Sequence, residues 1–320
     1  MKILVIKLAA LGDVVQAFAA LARIRAVHPG DEITVLTTPL YAELFRLSPY
    51  ADRVETDGRP KGMAATAALL LRLRRAGYDR IYDLQTSSRS SAYHWALLPR
   101  APDWSGIAPL ASHPHANPRR NFMHTLERQA DQLKFAGVWP DAPIAPGTAP
   151  PPDLGFLSAD AAPERSPAHF GLHKPYALLV PGASAHRPGK RWPVERYGEL
   201  AQILASRGLQ VAIVGGPGEA ELSQAIRALS PEAVDLTGKT EFAALAVLGA
   251  KAALAVGNDT GPSHLLAAAG APTAVLFSCD SDPALCAPRG RRVEVLQSER
   301  LADLSLEKVC AAVDRLLAAP

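Results

Sequence analysis

The feature that most constrains the fold is a regular alternation of short apolar runs with helical segments, which occurs twice along the chain. In the first half the strand-like runs are KILVIKL, EITVLTT, DRVETD and DRIYDLQ, and helical spacing is found near 14–28, 40–47, 62–76 and 122–137. From Tyr176 the alternation restarts with YALLVPG, LQVAIVGG, AVDLTG, AALAVGND and TAVLFS. Strands that alternate with helices form parallel sheets, so this pattern predicts two doubly wound α/β domains.

A segment of different composition separates the two sets of runs. WPDAPIAPGTAPPPDLGFLSADAAPERSP, residues 139–167, is rich in Pro and Ala and lacks periodicity, which is typical of a linker. We therefore expect an N-terminal domain over 1–152 and a C-terminal domain over 153–320. A chain of 320 residues, 48% of them hydrophobic, is long enough to bury a core in each domain.

Charge and cysteine content narrow the possible partners. Residues 1–150 carry a net charge of +5 and residues 151–320 a net charge of −2, which together give the +3 of the chain. The basic first half suits an anionic partner or membrane surface, but it is too weakly charged to predict nucleic-acid binding. The three cysteines form no CxxC pair and no metal-ligand spacing, and we expect no bound metal. No apolar run is long enough to span a bilayer and the N-terminus does not resemble a signal peptide, so we expect a cytoplasmic protein.

The loop after the first strand holds a carboxylate where many nucleotide-binding folds hold glycines. In LGDVV a single glycine, Gly12, is followed at once by Asp13. A dinucleotide-binding loop would carry GxGxxG to bring the backbone against a pyrophosphate, so an NAD-dependent oxidoreductase is not favoured. From the residues alone, Asp13 is either a helix cap or a reactive acid.

The strand-end loops of the second half suit a phosphorylated ligand. GNDTGPSHLLAAAGAP places Asp259, Thr260 and Gly261 at the start of a helix, with His264 in its first turn, and free N–H groups there suit phosphate. PGASAHRPGKRW adds Ser184 and Lys190, a hydroxyl and a cation that suit a diphosphate. In GGPGE, Glu219 either interacts favourably with the dipole of the following helix or accepts hydrogen bonds from ribose hydroxyls.

These motifs, in this order, resemble the lipopolysaccharide heptosyltransferases of glycosyltransferase family 9. The segments concerned are LGDVV, YDRIYDLQ, KRWPVERYGEL, GGPGE and GNDTGPSHLLAAAGAP. The resemblance implies the GT-B architecture, in which two Rossmann-like domains face each other across a cleft. It also implies that the C-terminal domain binds a nucleotide-sugar, usually ADP-heptose, as co-substrate without a cofactor or metal. The N-terminal domain would bind a lipid-linked saccharide acceptor.

Residue roles follow from the same resemblance. Asp13 would be the general base of an inverting transfer, accepting the proton of the attacking hydroxyl. Lys190 would stabilise the departing ADP, and the donor would also be held by Ser184, Glu219, Asp259, Thr260, Gly261 and His264. Arg89, in DLQTSSRSS, and the pair Arg119 and Arg120, in NPRRNFMHTLERQ, would contact an anionic acceptor.

Three alternatives stay open at this point. The transferred sugar could differ from heptose, the acceptor could be a protein, or the chain could be a non-catalytic nucleotide-sugar-binding protein. The last would not need an acid at position 13. An acceptor anchored in the inner membrane predicts peripheral contact of the basic N-terminal domain with the cytoplasmic face of that membrane.

Overall fold

The computed structural model describes residues 1–56, 58–159, 161–184 and 186–318. The chain divides into two compact units, Met1–Pro150 and Pro151–Pro320, close to the boundary expected from composition. Some expectations touch residues outside this description. Asp57 ends one predicted strand, Asp160 falls in the predicted linker, and Ala319 and Pro320 end the predicted C-terminal domain; all four lie outside the described residues.

The first unit contains a parallel sheet with helices between its strands. The strands are β1 (Lys2–Ile6), β2 (Glu32–Leu36), β3 (Arg53–Glu55), β4 (Arg80–Asp83), β5 (Asp103–Gly106) and β6 (His113–Pro114). The helices are α1 (Leu11–Val27), α2 (Ala42–Arg46), α3 (Met63–Ala76), α4 (Ser88–Leu97) and α5 (Thr125–Phe135).

The second unit repeats this plan. The strands are β7 (Tyr176–Val180), β8 (Gln210–Ile213), β9 (Val234–Asp235), β10 (Leu254–Asn258), β11 (Thr273–Phe277) and β12 (Val293–Gln297). The helices are α6 (Phe156–Ala159), α7 (Val194–Ser206), α8 (Ala220–Leu229), α9 (Phe242–Lys251), α10 (Gly261–Ala268), α11 (Pro283–Cys286) and α12 (Leu306–Ala318).

Both sheets have the same strand order, and this order positions the sites. The first runs β3-β2-β1-β4-β5-β6 and the second β12-β11-β10-β7-β8-β9, with parallel pairing throughout. In each unit the chain starts at a central strand, winds to one side, and then returns to the other side. The change of direction lies between β1 and β4 in the first unit and between β7 and β10 in the second. Loops diverge at such a switch point, and ligands bind beyond the carboxyl ends of its strands.

The central strands are buried on both faces, which explains their unbroken apolar sequences. Ile3–Ile6 of β1 and all of β7 and β10 are buried, as expected for parallel strands covered by helices on each side. The second unit packs Trp192, Tyr197 and Leu200 into the core beneath its sheet. The predicted fold of two doubly wound α/β domains is confirmed.

The elements not predicted from sequence include α4, β5, β6 and β12. The strands β5 and β6 are only DWSG and HP, too short to show alternation, although Trp104 within β5 is completely buried. The strand β12 lies at the edge of its sheet and is only partly buried, so VEVLQ lacks the unbroken apolar run of the central strands. Tertiary pairing, not local composition, makes these segments strands.

The expectation of a free linker over 139–167 is wrong for much of that segment. Ala149 is buried and its N–H donates to Glu127 Oε1 at 3.2 Å within the first unit. Leu154 and Leu157 are buried in the second unit, where Leu154 N–H donates to Ala268 O at 3.1 Å. A few apolar side chains among the prolines are enough to anchor the segment, because each buries apolar surface. Since these side chains are irregularly spaced, no periodic pattern in the sequence reveals them.

Candidate active site

The first unit has a polar cleft of about 280 Å³ at its switch point. The loop after β1 and the loop after β4 form two of its walls, and the segment before α5 and one face of α5 form the others. Its polar lining consists of Lys7, Asp13, Gln85, Thr86, Arg120, Asn121, Arg128, Gln129 and Gln132. The cleft therefore combines one carboxylate with three cations and several amides.

Asp13 is both a helix-terminal residue and an accessible acid. It is the third residue of α1, its side chain is exposed, and its Oδ2 accepts a hydrogen bond from Ala10 N–H at 3.3 Å. Within the described part of the chain, Oδ1 accepts no hydrogen bond. The two roles that the sequence left open are thus compatible, because capping uses only one carboxylate oxygen.

The cations of the cleft differ in how they are held. Lys7 is almost completely buried and its Nζ donates to Leu84 O at 3.3 Å. Burial lowers the pKa of the Lys7 ammonium, and the carboxylate of Asp13 opposes that shift. Arg120 is half-buried and donates to Asn121 Oδ1 at 3.0 Å, whereas Arg128 donates to Thr125 Oγ1 at 3.2 Å.

The three arginines expected on the acceptor side do not come together. Arg120 lines the cleft. Arg119 is exposed beside it in sequence but does not line the cleft, and Arg89 is exposed in the first turn of α4. Arg120 thus shares a cleft with Asp13, whereas Arg89 and Arg119 face solvent at the same edge of the sheet.

At the switch point of the second unit, Asp259 gathers the polar side chains. Lys190 Nζ lies 2.5 Å from Asp259 Oδ2, Ser281 Oγ donates to the same oxygen at 2.5 Å, and His264 Nε2 lies 3.7 Å from Oδ1. Asp259 is only 8% exposed. Burial opposes its ionisation, but the partners His264, Lys190 and Ser281 outweigh burial and hold the pKa of Asp259 well below its ordinary value.

The helix α10 starts directly beside this cluster. Thr260 is its N-cap residue in an extended conformation, Gly261 is its first residue, and His264 lies buried in its first turn. Ser263 Oγ donates to Asn258 O at 2.7 Å, which ties the helix to the end of β10. The structure thus brings Asp259, Thr260, Gly261, His264 and Lys190 to one strand end.

The carboxylate of Glu219 lies beside the carboxyl ends of β7 and β8. Its Oε2 accepts a hydrogen bond from Gly216 N–H at 2.7 Å. A Cβ atom added to Gly182, after β7, or to Gly215, after β8, would overlap this carboxylate. The two glycines therefore make room for Glu219. Ser184, also predicted at this site, is exposed in the loop after β7, and Arg187 N–H donates to its carbonyl at 3.0 Å.

Comparison with known families assigns the chain to a family. Residues 66–314 match the model of glycosyltransferase family 9 (heptosyltransferase), which covers more than half of the chain. The chain belongs to glycosyltransferase family 9.

Heptosyltransferases are similar to this chain in both sequence and fold. The chain is 26% identical over 310 residues to the lipopolysaccharide heptosyltransferase 2 of Escherichia coli strain K12, covering 93% of this chain and 88% of that protein. Its fold is similar to that of the E. coli ADP-heptose lps heptosyltransferase II, with a TM-score of 0.83 and 24% identity over 99% of this chain and 98% of the other. It is also similar to the E. coli heptosyltransferase WaaC with ADP, with a TM-score of 0.78 and 21% identity over 99% and 100% of the two chains. The prediction of a GT-B glycosyltransferase is confirmed.

Several residues of this family 9 chain that shape the sites were missed by sequence reasoning. Lys7 belongs to a strand-like run of the sequence, yet it is buried and lines the same cleft as Asp13. Gln85 and Arg128 lie in the segments DLQ and LERQ, where the sequence motifs point to other residues. Ser281 follows β11, in a loop without a recognisable motif. A polar residue just beyond a strand end was the signal available for Gln85 and Ser281.

Two further observations concern metals and membranes. Among residues 1–56, 58–159, 161–184 and 186–318, no group of three or more His, Cys, Asp or Glu side chains is arranged to hold a metal ion. In the same described residues, no helix combines the length and the apolar character needed to cross a bilayer.

Proposed function

We propose that this glycosyltransferase moves a heptose from ADP-heptose to the saccharide of a lipid-linked lipopolysaccharide core precursor, with inversion at the anomeric carbon. The observation that carries this proposal is the cleft of the first unit, where an accessible carboxylate, Asp13, shares its walls with Lys7, Arg120 and Arg128. The loop that holds Asp13 lacks phosphate-binding glycines, so it suits an acceptor better than a nucleotide. Relatives named as lipopolysaccharide heptosyltransferases support the choice of sugar and acceptor.

In the proposed reaction Asp13 is the general base. Its Oδ1 accepts the proton of the acceptor hydroxyl while that oxygen forms a bond to the anomeric carbon. The bond from the anomeric carbon to the diphosphate oxygen breaks, and its electron pair leaves with ADP. The hydrogen bond from Ala10 N–H to Oδ2 fixes the carboxylate without occupying the oxygen that takes the proton.

The cations of the cleft would bind the acceptor. Lys7, Arg120 and Arg128 present positive charge beside Asp13, which favours a saccharide that carries carboxylate or phosphate groups. The exposed Arg89 and Arg119 would meet more distant anionic groups of the same acceptor.

The second unit would bind the donor. Lys190 and His264 lie beside the N-terminus of α10, at the end of β10. These two side chains and the N–H groups of the helix N-terminus would stabilise the negative charge of a diphosphate. Ser184, Asp259, Thr260 and Gly261 complete this side of the proposed site. Glu219, held between Gly182 and Gly215, would accept hydrogen bonds from the nucleotide ribose.

An acceptor anchored in a bilayer implies peripheral contact with the cytoplasmic face of the inner membrane. The first unit carries the net positive charge of the chain. It also exposes Leu40, Met63, Leu110 and Phe122 in segments that follow the carboxyl ends of its strands. Basic and apolar side chains together favour an anionic lipid surface.

Substitution of Asp13 tests the chemical part of the proposal. Asp13→Asn keeps the shape and one oxygen for Ala10 N–H but cannot accept the proton, so we expect transfer to fall by about 10²–10⁴-fold. The affinity for ADP, measured by calorimetry, should stay unchanged because the proposed donor residues are untouched. Asp141→Asn, at an exposed position of the same unit, is the matched control. Near-normal turnover of Asp13→Asn would refute the assignment.

We propose that the transfer needs no metal. Lys190, His264 and the N-terminus of α10 supply the positive potential that a divalent cation provides in other transferases. We expect activity to persist at millimolar EDTA. Loss of activity with chelator and recovery with Mg²⁺ or Mn²⁺ would show that a metal is required.

A further inference from the structure

The loop that carries Asp13 is held by a side chain from the neighbouring strand end. Leu8 N–H donates to Gln85 Oε1 at 2.8 Å, and Ala9 N–H donates to the same oxygen at 3.2 Å. Ala10 N–H, the next along the chain, donates to Asp13 Oδ2. Three consecutive amides between β1 and α1 are therefore satisfied by Gln85 and Asp13. Because both Leu8 and Ala9 are donors, only the carbonyl oxygen of Gln85 can fill this position.

Hydrogen bonds within and around the loop after β4 fix the backbone of Gln85. Asp83 Oδ1, at the end of β4, accepts hydrogen bonds from Gln85 N–H at 3.1 Å and Thr86 N–H at 3.0 Å. Lys7 Nζ donates to the carbonyl of Leu84 at 3.3 Å, which ties the loop after β4 to the end of β1. Thr86 has a positive φ of 45°, a conformation that a non-glycine residue keeps only when its surroundings impose it. These hydrogen bonds thus fix the backbone of the loop after β4.

We infer that Gln85 is a positioning residue for the transfer, which orients the Asp13 carboxylate by holding the backbone at Leu8 and Ala9. The inference rests on the proposed role of Asp13 as base. Without an acceptor at Gln85, two amides of the loop lose their partner and the start of α1 is free to shift. A displacement of about 1 Å at a reacting group can cost about 10²-fold in rate.

The test uses the full chain with Gln85→Met, which has similar length but no oxygen, and with Gln85→Asn. The latter stays polar but is one methylene too short to reach both amides. We expect each to lower kcat by about 10²-fold. The KM for the nucleotide-sugar and the affinity for ADP should stay unchanged. In both variants the amides of the peptide 7–13 should exchange hydrogen faster. Gln224→Met, at an exposed position of α8, is the matched control and should keep full activity.

A double-mutant cycle with Asp13→Asn separates positioning from other roles. If Gln85 acts through Asp13, Gln85→Met should reduce the residual activity of Asp13→Asn by less than about 3-fold, since the group it positions is already lost. An equal loss of about 10²-fold in both backgrounds would overturn the inference, as would wild-type kcat in both Gln85 variants. Near-normal turnover of Asp13→Asn itself would overturn the base assignment and this inference with it, whereas an active Gln85→Met beside an inactive Asp13→Asn overturns only the inference.

Discussion

Lys190 forms a buried ion pair, so its removal has two consequences that can be separated. Its side chain is 12% exposed and that of Asp259 8%. Lys190→Ala leaves Asp259 buried without its cation, which should destabilise the chain by about 3–5 kcal/mol. The same change removes a charge-assisted contact to the diphosphate, worth about 1.5–3 kcal/mol, or at least about 10-fold in affinity for ADP.

Lys190→Ala combined with Asp259→Asn distinguishes these effects. The second substitution removes the unpaired buried charge of Asp259, so urea unfolding should show that the free energy of unfolding recovers. Calorimetry should show that the affinity for ADP stays low, because the ammonium is still absent. If the double variant regains ADP binding, Lys190 acts only by neutralising Asp259 and does not contact the nucleotide.

At the scale of elements, the ends of β7 and β8 test the ribose site. Gly182→Ala places a Cβ where the Glu219 carboxylate lies. The flexible end of Glu219 can move away, so we expect the variant to fold but to bind ADP about 10-fold more weakly, since a charged hydrogen bond is lost. Gly218→Ala, whose added Cβ meets no atom within 4 Å, is the matched control. Equal affinities of the two variants for ADP would remove Glu219 from the nucleotide site.

At the scale of the whole molecule, the division between the units allows their roles to be tested apart. Leu154 and Leu157 are buried in the second unit, so a fragment should begin at Pro151 and not at Pro167, where the segment of linker composition ends. We expect 151–320 to bind ADP without transferring sugar, and a fragment from 167 to be less stable because it lacks both leucines. Isothermal titration calorimetry measures the binding of ADP by each fragment. Binding of ADP by 1–150 alone would reverse the proposed roles.

Much of the architecture was accessible from sequence because the central strands are strongly apolar. Three runs are buried on both faces: Ile3–Ile6, Tyr176–Val180 and Leu254–Asn258. Such apolar runs can be recognised as strands without knowledge of the neighbouring strands. The edge strands lack that signal, because β6 is only two residues long and β12 is only partly buried. Their existence depends on backbone pairing with β5 and β11.

The two α/β halves and the family resemblance follow from local sequence patterns. So do Asp13, Lys190, Glu219 and the segment 259–264 as predicted site residues, since each follows a strand that its own composition reveals. Which of these residues meet depends on the tertiary structure. It placed Arg120 in the cleft and left Arg89 and Arg119 outside, and it paired Lys190 with Asp259 across the switch point. It also set Gln85 against the backbone beside Asp13. The contacts Lys190–Asp259 and Leu8–Gln85 join residues 69 and 77 positions apart, and they depend on strand order, which no local pattern encodes.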